Sequence, residues 1–203
     1  MDHGAAFATN AALGSMLGIF ATIAWALAYS AVTRRGAGLV SSLVAGLVTF
    51  AIVGTAVRDL TIGPLALYIA LVVALIVAIR QIPASWTHYG VHLPWWDLPA
   101  RMLLATTLVL SITGGAELLG PRLAGLLATV PLYASILAGF GHRLAAPEAA
   151  IDVWRGLLFG LFGFGAFYLM LAVFLEPLGL VAFGLAIAAA VFTQLVTLRV
   201  LRA

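Results

Sequence analysis

Apolar residues run along this chain in long unbroken stretches, and the charged and turn-forming positions fall between the stretches. Each stretch is close to the roughly 20 residues that an α-helix needs to cross about 30 Å of hydrocarbon. The pattern predicts seven spans, at residues 11–32, 37–57, 62–79, 99–119, 122–141, 152–175 and 178–198. Strands are disfavoured because the runs are continuous rather than alternating, and because backbone groups in lipid must be satisfied inside each segment. The predicted fold class is all-α: a polytopic membrane helical bundle of seven transmembrane helices.

The arginines test this count independently, since cytoplasmic loops should hold most of the basic residues. With the N-terminus outside, seven spans put Arg34, Arg35, Arg80, Arg101, Arg143, Arg155, Arg199 and Arg202 inside, and leave only Arg58 and Arg122 outside. The C-terminus is then cytoplasmic. The opening "MDHGAAFATNAALG" has no arginine ahead of its apolar run, and Arg34 and Arg35 follow that run. This is the reverse of a cleavable signal peptide, so the first run is expected to be a retained span.

Composition adds exclusions. Hydrophobic residues make up 64% of the chain and charged residues 8%, against about a quarter charged in soluble domains, so the first expected partner is the lipid bilayer. A net charge of +3, scattered along the chain, gives no expectation of nucleic-acid binding. With no cysteine there is no disulfide, thiolate metal site or cysteine nucleophile. Serine-hydrolase, phosphate-loop and dinucleotide motifs are absent, and no acid–base pair stands out, so neither an enzyme nor a cofactor is expected. His88 and His92 have the spacing of a helical zinc pair. Gly90 and Pro94 oppose a helix there, and only Asp97 offers a further ligand, so no metal site is expected.

The loops are short except "QIPASWTHYGVHLPWWDLPA" at 81–100, where Trp86, Tyr89, Trp95 and Trp96 suit the headgroup region on the cytoplasmic side. It divides the chain into a three-helix unit at 1–80 and a second unit plus a final helix at 101–203. The phrase "RRGAGLVSSLV" at 34–44 returns 87 residues later within "PRLAGLLATVP" at 121–131: Arg35, Ala37, Gly38 and Leu39 match Arg122, Ala124, Gly125 and Leu126, and Ser42 matches Thr129. If the phrase opens spans two and five, the repeat unit is three helices and the second copy is inverted, giving an inverted 3+3 repeat plus one helix. Two such units can open a shared site to one side and then the other. Because Ala45, Gly46 and Leu47 spell the same tripeptide again, composition alone also accounts for the match.

"RLAGLLATVPLYASILA" followed by "EAAIDVWRGLLFGLFGFGAFYLMLAVF" resembles the GlpM-type family of small four-helix bacterial membrane proteins. The residues that carry the likeness are Ala124, Gly125, Leu126 and Pro131, then Glu148, Ala149, Val153 and Arg155; it covers about residues 98–203. The resemblance implies a multi-pass protein of the bacterial inner membrane with no cofactor. The family name associates it with glycerol metabolism, and the likeness implies no settled activity.

Candidate functional residues are the polar and helix-breaking positions inside predicted spans. Glu117 is the one acid placed within a span, where an ionisable group is a functional candidate by default; pairing with Arg122 across the Gly120–Pro121 turn is the structural alternative. Gly114 and Gly115 could loosen the same span. Pro131 removes a backbone donor in mid-span and deprives the Leu127 carbonyl of its usual partner, with Thr129, Tyr133 and Ser135 nearby as donors. Gln194 carries an amide that should turn away from lipid. Gly14 with Gly18, and Gly156 with Gly160, have the small-xxx-small spacing of close helix contacts, including those of a homodimer. These features suggest a transporter or exporter of a small or amphipathic solute, with a pathway at Glu117, Thr129, Pro131, Gln194, Gly114, Gly115 and Arg122. The alternative is a non-transporting accessory or assembly subunit that acts through its helix surfaces.

Overall fold

The computed structural model describes residues 4–82 and 120–202, and between them residues 96, 99, 102, 103, 106, 107 and 110. Three helices form the first part: α1 (Gly4–Arg34), α2 (Leu39–Val57) and α3 (Pro64–Gln81). The second part holds α4 (120–128), α5 (Leu132–Phe140), a π-helical turn (Gly141–Ala145), α6 (Pro147–Leu178) and α7 (Val181–Arg202). No strand occurs among the described residues.

Among the described residues six helical stretches are long and apolar enough to cross a membrane: Gly4–Arg34, Leu39–Val57, Pro64–Gln81, Gly120–Arg143, Pro147–Leu178 and Val181–Arg199. They coincide with six of the predicted spans. The predicted span at 99–119 lies outside the described residues except at 99, 102, 103, 106, 107 and 110, which are helical.

The boundaries follow local chemistry. Gly36, at φ 81°, makes the turn after α1, and Gly179, at φ 56°, makes the one after α6; both sit in the left-handed region that side chains disfavour. Pro64 and Pro147 occupy the first turns of α3 and α6, where a missing N–H costs nothing. Before its predicted start, α1 gains two turns in which the Asn10 amide donates back to the Ala6 carbonyl at 2.9 Å.

A helix that is apolar all round belongs in the middle of a bundle. That describes α1, which is 67% buried along its apolar window and packs on α2, α3 and α6. The long α6 also carries α7 on its flank, through Leu171 and Leu175 against Ala182 and Ala186. By contrast α2, α3 and α7 turn rows such as Val40, Val44, Leu47 and Ile52 outward, as lipid contact requires. Arg155 of α6 donates to the Ile79 carbonyl at 2.7 Å and to that of Ile82, capping the negative end of α3 with a cation.

The two copies of the repeated phrase occupy different positions. Gly38 is the N-cap of α2 and no described atom packs where its side chain would be, whereas Gly125 lies inside α4 with α1 pressed against it. Within α2, Gly46 meets α1 at the Trp25 indole and Gly54 meets it at Ala21.

Candidate functional site

One face of α1 carries Ala11, Gly14, Ser15, Gly18 and Thr22, spaced so that small residues line up along the axis. Opposite them lie Arg122, Gly125, Leu126 and Thr129. The absence of side chains brings the two backbones together: a Cβ on Gly14 would overlap the Arg122 carbonyl, and one on Gly125 the Ala11 carbonyl. Hydroxyls then cross the seam. Ser15 Oγ donates to the Gly125 carbonyl at 3.1 Å, and Thr22 Oγ1 to that of Thr129 at 2.9 Å. Gly14 and Gly18, whose spacing predicted a close helix contact and, with Gly156 and Gly160, a possible homodimer face, pack here against residues 122–129 of the same chain.

At Thr129 the span breaks. Pro131, at φ −83° and ψ 56°, cannot continue α4, and α5 restarts at Leu132. Several of the break's backbone groups are satisfied locally, while the Thr129 carbonyl relies on Thr22 of α1. Leu126 accepts from the Thr129 N–H at 3.1 Å and from its hydroxyl at 2.6 Å, while the Pro131 carbonyl accepts from the Ser135 N–H and Oγ at 2.9 and 2.8 Å. The Leu127 carbonyl, predicted to lose its partner, accepts from the Val130 N–H at 3.1 Å, because the chain tightens to three-residue turns ahead of the proline. Counting about 1.5 Å per residue, Thr129 lies roughly 13 Å from Gly120 and 21 Å from Arg143, well inside the span.

A cavity of about 360 Å³ opens beside the break. Ile19 and Thr22 of α1, Ala128, Thr129 and Pro131 of the break, and Gly156, Leu157, Gly160, Phe164 and Tyr168 of α6 line it. Its volume falls within the range of small-molecule sites. Its wall is mainly apolar, with hydroxyl-bearing residues at Thr22, Thr129 and Tyr168. No described atom comes near where a side chain on Gly156 or Gly160 would lie, so among the described residues they leave room for this cavity. A second concavity of about 420 Å³ lies along α5, lined by Leu39, Leu43, Trp96, Ser135, Gly139 and Arg143 among others.

Toward the other end of α1 is a buried aromatic group that the sequence reading did not single out. Tyr29 is fully buried; its ring lies 5.3 Å from that of Trp154, which lies 5.9 Å from that of Trp25. The Tyr29 hydroxyl meets Nδ1 of His142, in the π turn, at 3.1 Å. The indole N–H groups of Trp25 and Trp154 and the hydroxyl of Ser30 are buried with no partner among the described residues. The available signal was weak: a histidine between a glycine and an arginine at a span end.

Of the predicted pathway residues, the structure brings Thr129 and Pro131 to the cavity. Arg122 lies two turns away along the same seam. Gln194 does not line the cavity: it is half-buried on α7 and faces Gly163 of α6, where the missing side chain leaves room for it. Glu117, Gly114 and Gly115 lie outside the described residues, as do His88, His92 and Asp97. Among the described residues no three metal-ligating side chains come together.

Among the described residues, fold and site together define an all-helical bundle, its helices long and apolar enough to cross a membrane, with a break at Thr129–Pro131 bordering a cavity. No family model, curated protein or solved structure matches this chain.

Proposed function

We propose that the protein is a small transporter or exporter that moves a small, largely apolar solute with one or two hydrogen-bonding groups through the cavity at Thr22, Thr129 and Gly160. The observation that carries this reading is the interrupted span at Thr129–Pro131 beside the cavity. Irregular backbone at membrane depth is tolerated where it is buried or lines a cavity, and transporters place substrate sites at such breaks. Few charges border the site, so a multiply charged solute would find nothing to replace its water.

A seven-span count with the N-terminus outside and the C-terminus inside belongs to this reading and rests on the arginine sorting. Location in a bacterial inner membrane rests on the likeness of residues 98–203 to GlpM-type proteins. An inverted three-helix repeat would supply a rocking motion, but the reading does not depend on it, because the break provides a hinge of its own. A homodimer through Gly14 and Gly18 is not part of the reading, since α4 covers that face. The outward apolar rows of α2, α3 and α7 are what lipid alone demands, so they give the accessory-subunit alternative no specific support.

The chain has no native cysteine, which makes the test direct. Single-cysteine variants Ala128→Cys and Gly160→Cys, in sealed vesicles, are exposed to a membrane-impermeant thiol reagent on each side in turn. Modification from both sides is expected of a site with alternating access. A cavity that reacts from one side only, or from neither, overturns the proposal.

A further inference from the structure

The concavity of about 420 Å³ along α5 changes character from one end to the other. Leu39 and Leu43 of α2 and Leu132, Ile136 and Phe140 of α5 give it an apolar lining. Gly139 opens it between them, since the described atoms nearest to a Cβ there are the methyl groups of Leu39, at 3.8 Å. Ser135 reaches the groove, but its hydroxyl is spent on the Pro131 carbonyl at 2.8 Å. The charged group among the described lining residues is Arg143, in the π turn that follows α5. At about 1.5 Å per residue, Leu132 and Arg143 lie roughly 16 Å apart along the axis. A hydrocarbon core of about 30 Å gives each leaflet a depth close to that length.

We infer that this groove binds an anionic phospholipid of the surrounding bilayer, with one acyl chain lying along α5 from Phe140 to Leu132 and the phosphate on Arg143. The inference is independent of the transport reading. The outward rows of α2, α3 and α7 meet lipid of any kind, because they are apolar throughout. A groove one leaflet deep that ends on a cation matches an amphiphile, and its end sits at the level of a headgroup. Trp96 marks that level: it is exposed, lines the groove, and its ring lies 5.2 Å from that of Phe140, in the half-apolar, half-wet setting that indoles favour. Arg143 is exposed and makes no hydrogen bond or ion pair among the described residues, so its planar fork is free for phosphate oxygens. The surroundings set the sign of the headgroup. His142, beside Arg143, meets Tyr29 near the end of α1, where Arg34 and Arg35 stand exposed. No carboxylate is among the described lining residues; on α6, Glu148 is exposed and Asp152 has a polar interaction of its own. A zwitterionic lipid would bring its ammonium group to a basic surface, whereas a lipid of net negative charge is attracted by each nearby arginine.

The test uses the full chain in phosphatidylcholine vesicles. Rising shares of the lipid are replaced by phosphatidylglycerol brominated near the headgroup end of its acyl chain or, in parallel, by phosphatidylcholine brominated at the same place. Bromine quenches an indole that it touches, and the emission of Trp96 is taken as the difference between the protein and its Trp96→Phe variant. We expect phosphatidylglycerol to reach half of its maximal quenching at a share at least about 5-fold lower than phosphatidylcholine needs. Arg143→Gln removes the unpaired cation from an exposed position and should bring the two lipids together. Gly139→Leu fills the groove beside Leu39 and should abolish the preference with Arg143 still in place. Equal quenching by the two lipids in the unaltered chain overturns the inference, as does a preference that survives Arg143→Gln. Quenching by neither lipid overturns it too, because protein then covers the groove. Should Arg143→Gln fail to fold, Gly139→Leu decides, and an unchanged preference in that variant overturns the site.

Discussion

The Thr22 hydroxyl donates to the Thr129 carbonyl across 2.9 Å, joining the middle of α1 to the break in the opposing span. The same hydroxyl lies 3.1 Å from the Gly18 carbonyl, so one O–H is shared between a helix ladder and its interruption. Thr22→Val keeps the shape and removes the donor, leaving the partly buried Thr129 carbonyl without this partner. The expected cost is about 1 to 3 kcal/mol, seen as a lower unfolding temperature in detergent, with Thr22→Ser close to wild type.

The glycines of this bundle divide into two kinds with opposite expected responses to alanine. Gly125→Ala and Gly14→Ala force backbones apart and should destabilise by about 1 to 3 kcal/mol. Gly156→Ala and Gly160→Ala meet no described atom and should be neutral or stabilising by up to about 1 kcal/mol. Thermal unfolding of the four variants side by side checks the division.

Gly46 and Trp25 make a narrower case. A methyl group on Gly46 would occupy the place of the Trp25 indole edge, whose N–H has no partner among the described residues. Gly46→Ala should push the ring out of its packing against Phe50 and Trp154 and shift its emission. Difference fluorescence against a Trp25→Phe background measures this; identical emission would show that α2 yields instead.

Arg155→Met should free the end of α3. Its guanidinium serves the carbonyls of Ile79 and Ile82, and hydrogen bonds to a charged donor contribute roughly 1.5 to 3 kcal/mol. The expected readout is faster amide exchange confined to the last turn of α3, with α6 unaffected.

How much of this was legible in the sequence depended on how local each feature is. Span positions depend on a run of side chains meeting lipid, so 37–57 and 62–79 fall within two residues of Leu39–Val57 and Pro64–Gln81 at each end. Pro131 announced a break because the missing N–H is a property of the residue itself. Partners were not legible. The spacing of Gly14 and Gly18 told that some backbone comes close, but not that it belongs to residues 122–129 of the same chain. The carbonyl of Leu127 did lose its usual partner, but its new donor was not legible: not one of the nearby hydroxyls but the Val130 N–H, which the chain rewound to supply. Tyr29 and His142 are 113 residues apart, and neither has a neighbour that points to the other.

The seam between α1 and residues 122–129 also bears on how the chain is made. Thr22 precedes its acceptor by 107 residues, so at ordinary translation speeds of 5 to 20 residues per second α1 waits roughly 5 to 20 s for the surface it will press against. During that interval its small residues face lipid or the insertion machinery. Ser15 and Thr22 can bear the delay because each hydroxyl already donates to a carbonyl one turn back, at 3.0 and 3.1 Å. The helix is complete before its partner is synthesised, and assembly only redirects bonds it already holds.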